Sequence, residues 1–447
     1  MNLKSRFFKF MFKTTLNTAV SFFLLISAAQ SAEYDYLKFT NPFIKKIPIA
    51  VPDLRNMNAD PAVNELTRRG ADRLSSNLAF TGFFKLLDRS AFLTDPQKNE
   101  LIPSNIKFKN WTAIRAEYLV TGSIKVFEGD MIEVEFRLYD TFRENLKVGK
   151  RYKGWKNDLD RMVRRFSNEI VFNLTGIKGI FNSKIAFISK KSKKKDIYIC
   201  DFDGSNAQRY TKTQSITLSP AWSSDGQWIA YTSYVRGKPD LYIRNIIQKH
   251  GVVIRKKGSN ITPDWVPGRF ELAASLSFSG DPEIYLLTGK GKVVKRLTNN
   301  RGIDISPSWS PDGKKIAFVS KRSGTPQLHI KNISSGGLQR LTFVGKQNTQ
   351  PCWSPKGDRI AYSGMLKGLN QILVISSKGG DPVQLTFEGD NESPSWSPDG
   401  NLIVFSSTRE GVSRIYVMTA IGTDQRRLIA LPGQQSEPSW SPAFSNN

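Results

Sequence analysis

The chain has 447 residues, and its 65 lysines and arginines against 39 acidic residues give a formal net charge of +26. A hydrophobic fraction of 39% is enough to bury real cores, so composition excludes a disordered chain, and the length favours two domains. The charge favours an anionic partner, which is nucleic acid, a phosphate-rich membrane surface or an acidic protein.

The first 32 residues have the three-part layout of a secretory signal peptide. Four basic residues precede a short apolar run, Thr14 to Ala28, and small residues follow, with cleavage expected between positions 29 and 32. The run is too short to span a membrane, and no later segment is apolar enough to do so. We therefore expect an exported, soluble chain with a net charge near +22. Because the chain is exported, we expect no nucleic-acid partner.

After cleavage, we expect an extended segment over 33–46 and then a small α/β domain that ends at residue 176. The strand-like segments are 47–51, 83–87, 118–126, 131–140 and 149–155. Apolar residues at helical spacing follow Asp60-Pro61, an N-cap with proline at the first helical position, and follow Asn157. This pattern predicts a sheet with two helices on one face, within residues 33–176. A short linker, 177–181, indicates that the two domains touch.

The remainder, 182–447, is built from a repeat. Tryptophan recurs at positions 222, 265, 309, 353, 396 and 440, always 43 or 44 residues apart. Each copy contains about four strand-sized pieces separated by turns such as SPDG, and the copies that contain Trp265, Trp309 and Trp353 close with an LT pair. A period in the low forties with four strands is typical of propeller blades, and the tryptophans are expected to pack between blades.

The two ends of the repeat region complement each other. The copy that begins at Ile185 lacks its opening strand, and the segment around Trp440 is an opening strand with no blade after it. If the last strand completes the first blade, the array closes into a six-bladed β-propeller with no open sheet edge.

Little in the sequence favours catalysis or metal binding. Only two histidines, His250 and His329, and two cysteines, Cys200 and Cys352, are present, and no nucleophile elbow or phosphate-binding loop occurs. The stretch Asp201 to Asn206 resembles the start of a calcium loop, but Lys212 occupies the place of the required glutamate, so we expect a hairpin turn. The lysine-rich stretch 190–195 is also interpreted as a hairpin tip. We predict no catalytic residue, no metal and no cofactor.

Binding is better supported, because the loops that enter the innermost strands meet around one mouth of a propeller channel. These loops carry a polar and locally acidic set of side chains on an otherwise basic molecule. The candidate contact residues are Asn260, Asp304, Gln347, Asn348, Gln350, Asp390, Glu392, Gln434 and Glu437.

The order of a signal peptide, an α/β domain with the strand EYLVTGS at 117–123, and six blades of the form PSWSPDGxxIAFxS resembles the TolB family. The resemblance covers the whole chain. It implies a monomeric, non-catalytic periplasmic scaffold of the Tol-Pal system, which supports outer-membrane integrity and constriction during cell division. It also implies that the lipoprotein Pal binds the propeller loops and that the C-terminal domain of TolA binds the mature N-terminal segment.

That segment is Glu33, Tyr34, Asp35, Tyr36, Leu37, Lys38, Phe39 and Thr40. An extended aromatic stretch can add a strand to a partner sheet. Two alternatives remain open: a peptidase or lyase gated by the propeller, and a basic protein that binds anionic envelope surfaces.

Overall fold

The computed structural model describes residues 46–58, 60–93 and 103–444. The predicted signal peptide, 1–32, and the predicted TolA-binding segment, 33–40, lie outside the described residues. The first described elements form one mixed sheet with three helices. The strands are β1 Ile47–Ala50, β2 Arg55–Asn56, β3 Phe84–Leu86, β4 Tyr118–Val126, β5 Met131–Asp140 and β6 Asn145–Trp155, and the helices are α1 Ala62–Phe80, α2 Phe108–Ala113 and α3 Leu159–Thr175.

The sheet has the order β3-β1-β4-β5-β6, with parallel pairing around β1 and antiparallel hairpins after β4. Successive residues of a strand face opposite sides, so Leu138 joins the core under α1 and α3 whereas Tyr139 packs with α2. The two long helices lie where the sequence predicts them. Asp60 accepts a hydrogen bond from the Ala62 amide at 2.9 Å and starts α1, and Gly176 ends α3 at φ 71°.

Two features of this domain differ from the sequence-based expectation. The six-residue helix α2 covers the second face of the sheet, and six residues are too few to show a helical period. Strand β6 begins at Asn145 rather than Gly149, because it pairs along the whole of β5 as far as Asp140. Much of β6 is exposed, so its first residues have no apolar alternation to reveal them.

The repeat region forms six four-stranded antiparallel sheets, as predicted. Blade 1 contains β10 Thr217–Trp222, β11 Trp228–Ser233, β12 Asp240–Asn245 and β13 Gly251–Ile254; blade 2 contains β14 Asn260–Trp265, β15 Glu271–Leu276, β16 Glu283–Thr288 and β17 Val293–Arg296. Blade 3 contains β18 Asp304–Trp309, β19 Lys315–Ser320, β20 Gln327–Asn332 and β21 Leu338–Arg340; blade 4 contains β22 Asn348–Trp353, β23 Arg359–Leu366, β24 Leu369–Ser376 and β25 Val383–Gln384. Blade 5 contains β26 Asn391–Trp396, β27 Leu402–Ser407, β28 Arg414–Thr419 and β29 Arg426–Arg427; blade 6 contains β30 Gln434–Trp440, β7 Lys184–Lys191, β8 Lys194–Asp201 and β9 Gln208–Arg209.

The ring closes through its last strand, which confirms the prediction from the two incomplete repeats. Strand β30 pairs antiparallel with β7, with Trp440 opposite Ile185 and Gln435 opposite Ser189. The innermost strands neighbour one another in sequence order, and β30 also neighbours β10. Closure therefore leaves no inner strand edge open for pairing with another chain.

The six tryptophans lie between blades, as predicted, and are between 4% and 7% exposed. Several indole nitrogens donate to a carbonyl of the neighbouring blade: Trp222 to Ser439 at 3.0 Å and Trp396 to Cys352 at 3.0 Å. These bonds, with that of Trp265 to Ala221 at 3.1 Å, satisfy the indole N–H inside the core and tie three pairs of neighbouring blades together. A tryptophan per blade is thus required for packing rather than for a ligand.

The threonine of each LT ending makes a second set of hydrogen bonds that is repeated between blades. In blade 3 the Thr342 hydroxyl accepts from the Leu328 amide at 2.9 Å and donates to Gln327 at 2.8 Å, and Thr298 and Thr386 do the same in blades 2 and 4. The threonine therefore fastens the end of the fourth strand to the start of the third, where each bond is buried.

The α/β domain and the propeller share one apolar core. A continuous cluster of buried residues runs from α1 and α3 into blade 6 and includes Ile180, Phe181 and Phe202. On the blade 5 side, the Arg426 guanidinium lies 4.7 Å from the ring centre of Phe80 and donates to the Phe80 carbonyl at 2.9 Å. A shared hydrophobic interface of this kind holds the two domains in one arrangement.

An ion cluster at this interface links α3 to blade 6. Asp201, in the predicted hairpin turn, accepts from Arg164 at 2.7 Å, from Lys184 at 2.9 Å and from Asn206 at 2.7 Å. Burial raises the pKa of Asp201, but these hydrogen bonds outweigh it and lower the pKa to about 2. A carboxylate with a depressed pKa stabilises the folded state above its unfolded value of 3.8, and this stabilisation is lost as the pH falls toward 2.

We therefore expect Asp201→Asn to lower the free energy of unfolding by about 2 kcal/mol at neutral pH, because Arg164 is left buried without its carboxylate. The difference from the unsubstituted chain should shrink between pH 4 and pH 2, as measured by denaturant unfolding. Asp424→Asn is the matched control, since its partner Lys46 is 3.1 Å away in an exposed pair, which is worth at most about 1 kcal/mol. Equal effects of the two substitutions would contradict the proposed role of Asp201.

Candidate docking surface

Two kinds of connection reach the same end of the propeller, and we call this the loop end. They are the connections between the second and third strands of each blade and those that lead from the fourth strand into the next blade. Main-chain hydrogen bonds join the two kinds, as from Asn260 to Pro239 at 3.1 Å and from Asn348 to Pro326 at 2.9 Å. All nine predicted contact residues belong to the loop end or to the first residues of the inner strands.

Three of the nine are buried and hold the loops in shape. Asn260 donates to the carbonyls of Lys256 and Pro239, at 3.0 and 3.2 Å. Asp304 accepts from Arg322 at 2.6 Å, and Asn348 donates to the Gln327 side chain at 2.7 Å. Side chains engaged in this way are not exposed to a partner, so their effect on docking is indirect.

Two further residues, Gln350 and Glu437, lie at a bulge that every inner strand contains. The bulge puts the third residue before each tryptophan at positive φ although none is glycine: Ser219, Thr262, Ser306, Gln350, Ser393 and Glu437. Gln350 accepts from the Ser393 amide of the next blade at 2.9 Å, and Glu437 accepts from the Ser219 amide at 2.6 Å. The bulges therefore connect neighbouring blades around a channel of about 490 Å³.

The other four lie at the surface of blades 4 to 6. Gln347, Glu392 and Gln434 are exposed, and Asp390 is half-buried. Asn370 is held by both acids: its amide donates to Asp390 at 2.9 Å and its side chain donates to Glu392 at 2.6 Å. The carboxyl group of Glu392 is partly desolvated although the residue as a whole is exposed, and this raises its pKa. The charge of Asp390 adds to the shift, and the hydrogen bond from Asn370 opposes it.

The polar pattern misses a set of exposed apolar side chains at the same end. Phe343 is 71% exposed and Phe387 is 72% exposed, and each follows directly after an LT ending. Val344, Leu369 and Val412 are also exposed on the connections of blades 3 to 5. We call these five residues the apolar patch. The sequence signal for it is the phrase LTF, which places phenylalanine in a turn where blade 2 has Asn299 and blade 6 has Lys212.

The residues considered for metal binding do not come together. Among the residues that the structure describes, no cluster of three or more histidine, cysteine or acidic side chains is arranged to hold a metal. His250 packs against Trp228, and burial lowers the pKa of His329 in blade 3. Cys200 is buried, whereas Cys352 is half-buried at the channel wall, and the two do not form a disulfide.

The described helices include none that is both long and apolar enough to cross a membrane. Fold and surface together define a class of two-domain proteins, in which a closed six-bladed propeller is fused to a small α/β domain and presents its loop end for contacts. Comparison with known proteins identifies the family within this class.

The family model described as the TolB beta propeller domain matches residues 171–444, and the TolB amino-terminal domain matches residues 35–146. The chain belongs to the TolB family. The Tol-Pal system protein TolB of Desulfosudis oleivorans is 54% identical over 277 residues, which is 62% of this chain and 63% of that protein. A TolB homolog of Chlorobium chlorochromatii is 45% identical over 235 residues, 53% of this chain and 52% of its own length.

These alignments thus span between about half and two thirds of the curated relatives. A crystal structure of TolB from Acinetobacter baumannii matches with a TM-score of 0.78 at 27% identity, over 89% of this chain and 97% of that one. The structural match therefore includes both the α/β region and the propeller.

Proposed function

We propose that this chain is a monomeric, non-catalytic periplasmic component of a Tol-Pal system. Its loop end binds the lipoprotein Pal, and its mature N-terminal segment, residues 33–40, binds the C-terminal domain of TolA. In this role it supports outer-membrane integrity and constriction at division. The family membership and the names of the relatives support the system, and the apolar patch is the observation that supports a protein partner at the loop end.

The chemistry of the patch suits a protein interface. Two phenylalanines that are each more than 70% exposed would lose that water contact in a complex, and aromatic side chains are frequent anchors at interfaces. The Arg340 guanidinium lies 4.7 Å from the ring centre of Phe343 and orients it. Glu392 and Asp390 lie on the adjacent connections and provide a polar rim that accepts hydrogen bonds from the partner.

The double substitution Phe343→Ala and Phe387→Ala should weaken Pal binding by about 30-fold or more, as two anchors are removed. Titration calorimetry with the purified Pal domain measures this. The matched control is Ile247→Ala with Val294→Ala, since both are exposed apolar residues outside the loop end and should leave Pal affinity unchanged.

Binding of the TolA domain should be the same in the double variant as in the unsubstituted chain, because the proposed TolA site is a different segment. Unchanged Pal affinity in the double variant would refute the proposed docking surface. Equal loss of Pal and TolA binding would refute two separate sites.

A further inference from the structure

The loop end carries a second surface, on blades 6 and 1, which the proposed function does not use. The hairpin tip of blade 6 and the loops that follow it present a run of exposed basic side chains. We call this set the basic crescent: Lys190, Lys191, Lys193, Lys194, Lys212, Arg236, Lys238, Arg255, Lys256 and Lys257. Blades 6 and 1 are neighbours in the ring, since β10 lies beside both β30 and β8.

No acid in the described part of the chain neutralises the crescent. None of the ten bases lies within ion-pair distance of a described carboxylate. The two acids of these loops are buried: Asp196 is bound by Arg209 at 2.6 Å, and Asp240 is 0% exposed. The crescent is therefore a surface of one sign on which the charges are free to meet an external anion.

The fold brings like charges directly opposite each other in this hairpin. In the pairing of β7 with β8, Lys190 faces Lys195 and Lys191 faces Lys194. Like charges at facing positions of an antiparallel pair are destabilising, so these lysines cost stability in the isolated chain. An anionic surface would offset that repulsion.

The rest of the propeller does not share this pattern. At the opposite end, some bases lie beside acids, as at Asp312 beside Lys314 and at Asp358 beside Arg359, which lie 3.1 Å apart, and the turn of blade 2 carries two bases, Lys290 and Lys292, rather than a long run. The apolar patch and the acids Asp390 and Glu392 lie on blades 3 to 5, and the crescent lies on blades 6 and 1. The crescent thus places ten exposed bases together on one side of the loop end.

The composition of the crescent indicates what covers it. Eight of its ten bases are lysines. Lysine is depleted at protein interfaces, which rely on aromatic anchors instead. Within these loops, all of which the structure describes, Val235 is the one large apolar side chain that is exposed. Flexible ammonium groups on neighbouring loop tips suit the phosphates of a lipid surface, which needs no fitted pocket.

We propose that the basic crescent binds the anionic phospholipid headgroups of a membrane surface, and that this contact is independent of the protein docking proposed above. Each basic side chain near such a surface adds to the attraction, and the attraction is screened by salt. The contact is peripheral and electrostatic, with the loop tips of blades 6 and 1 at the level of the headgroups.

The test is co-sedimentation of the mature chain with vesicles. Vesicles that contain phosphatidylglycerol should bind the chain at low salt, vesicles of phosphatidylcholine alone should not, and about 0.3 M salt should release it. The triple substitution Lys191→Glu, Lys193→Glu and Lys257→Glu should weaken binding at least about tenfold. Lys191→Glu also replaces the like-charged pair with Lys194 by an opposite pair, so the hairpin should remain folded.

The control triple, Lys290→Glu, Lys292→Glu and Lys314→Glu, makes the same change in net charge outside the loop end and should keep vesicle binding. Equal loss in both triples would show an effect of net charge alone and overturn the proposal. So would binding to neutral vesicles, absence of binding to anionic vesicles, or a crescent triple that loses Pal binding while its vesicle binding is unchanged. The last outcome would assign the crescent to a protein partner.

Discussion

Trp440→Ala should lower the free energy of unfolding by about 3–5 kcal/mol, as expected for removal of a buried tryptophan. Trp440 is 7% exposed, and its indole donates to the Ser183 hydroxyl at 2.8 Å across the closing pair of strands. Its backbone amide also donates to Ser395 in blade 5 at 2.9 Å. Because these contacts support the pairing of β30 with β7, the substitution should also loosen the closure. Denaturant unfolding measures the first effect, and hydrogen exchange along β7 measures the second.

Trp309→Ala is the matched control for closure. Trp309 is 6% exposed in blade 3, where all four strands come from one continuous stretch of chain. The Trp309→Ala variant should lose a similar free energy of unfolding, but hydrogen exchange along β7 should stay slow. Rapid exchange along β7 in both variants, or in neither, would contradict the idea that Trp440 fastens the ring.

Asp264→Asn should change how stability depends on pH, because Asp264 is a carboxyl group at the channel wall. Its side chain accepts from the Trp309 amide at 2.8 Å. Burial raises the pKa of Asp264 to about 7, although the backbone bonds from Trp309 and Trp265 favour the carboxylate. The folded chain therefore binds this proton more tightly than the unfolded chain, whose value is 3.8. The associated stability is complete below about pH 4 and is lost as the pH rises through about 7.

Between these pH values the free energy of unfolding should fall by roughly 2–4 kcal/mol, and the lower value allows for water in the channel. Asparagine keeps the acceptor for Trp309 and does not ionise, so the variant should be as stable as the unsubstituted chain at pH 5 and more stable at pH 8. Thermal unfolding should show a difference in Tm of roughly 2–5 °C at pH 8. Asp312→Asn is the control, since hydrogen bonds from Ser310 and Lys314 lower the pKa of this exposed carboxyl. It should leave the profile between pH 5 and 8 unchanged, and a matching change there would refute the assignment to Asp264.

The two proposed surfaces share the loop end but occupy different blades. The apolar patch with Asp390 and Glu392 lies on blades 3 to 5, and the basic crescent lies on blades 6 and 1. One end of the propeller can therefore meet a protein and an anionic surface at the same time. The apolar substitutions and the charge substitutions test these contacts separately.

The propeller was predictable because its information is local and repeated. One tryptophan every 43 or 44 residues, with turns and alternating strands between, specifies a blade without reference to the rest of the chain. Closure through Trp440 followed from counting, because one opening strand was missing and one was left over. The helix after Asp60 was equally clear from its cap and its apolar spacing.

The candidate site was less predictable. Asn260, Asp304 and Asn348 occupy the same kind of polar loop as Gln347 and Glu392, yet only the folded structure shows that the first three are buried and bonded within the protein. The sequence of a turn does not show whether its polar residue faces water or bonds to a neighbouring carbonyl. The apolar patch was missed for the converse reason, since an apolar residue beside a strand suggests core.

The sequence by itself determined the repeat, the number of blades, the closing strand and the excess of positive charge, because each depends on residue type and spacing along the chain. Tertiary structure alone decided the bulge at positive φ in every inner strand, the concentration of basic residues on blades 6 and 1, and the buried proton-binding position of Asp264. These features depend on which groups from distant repeats become neighbours. That is set by ring closure and by burial, and not by any local preference of the chain.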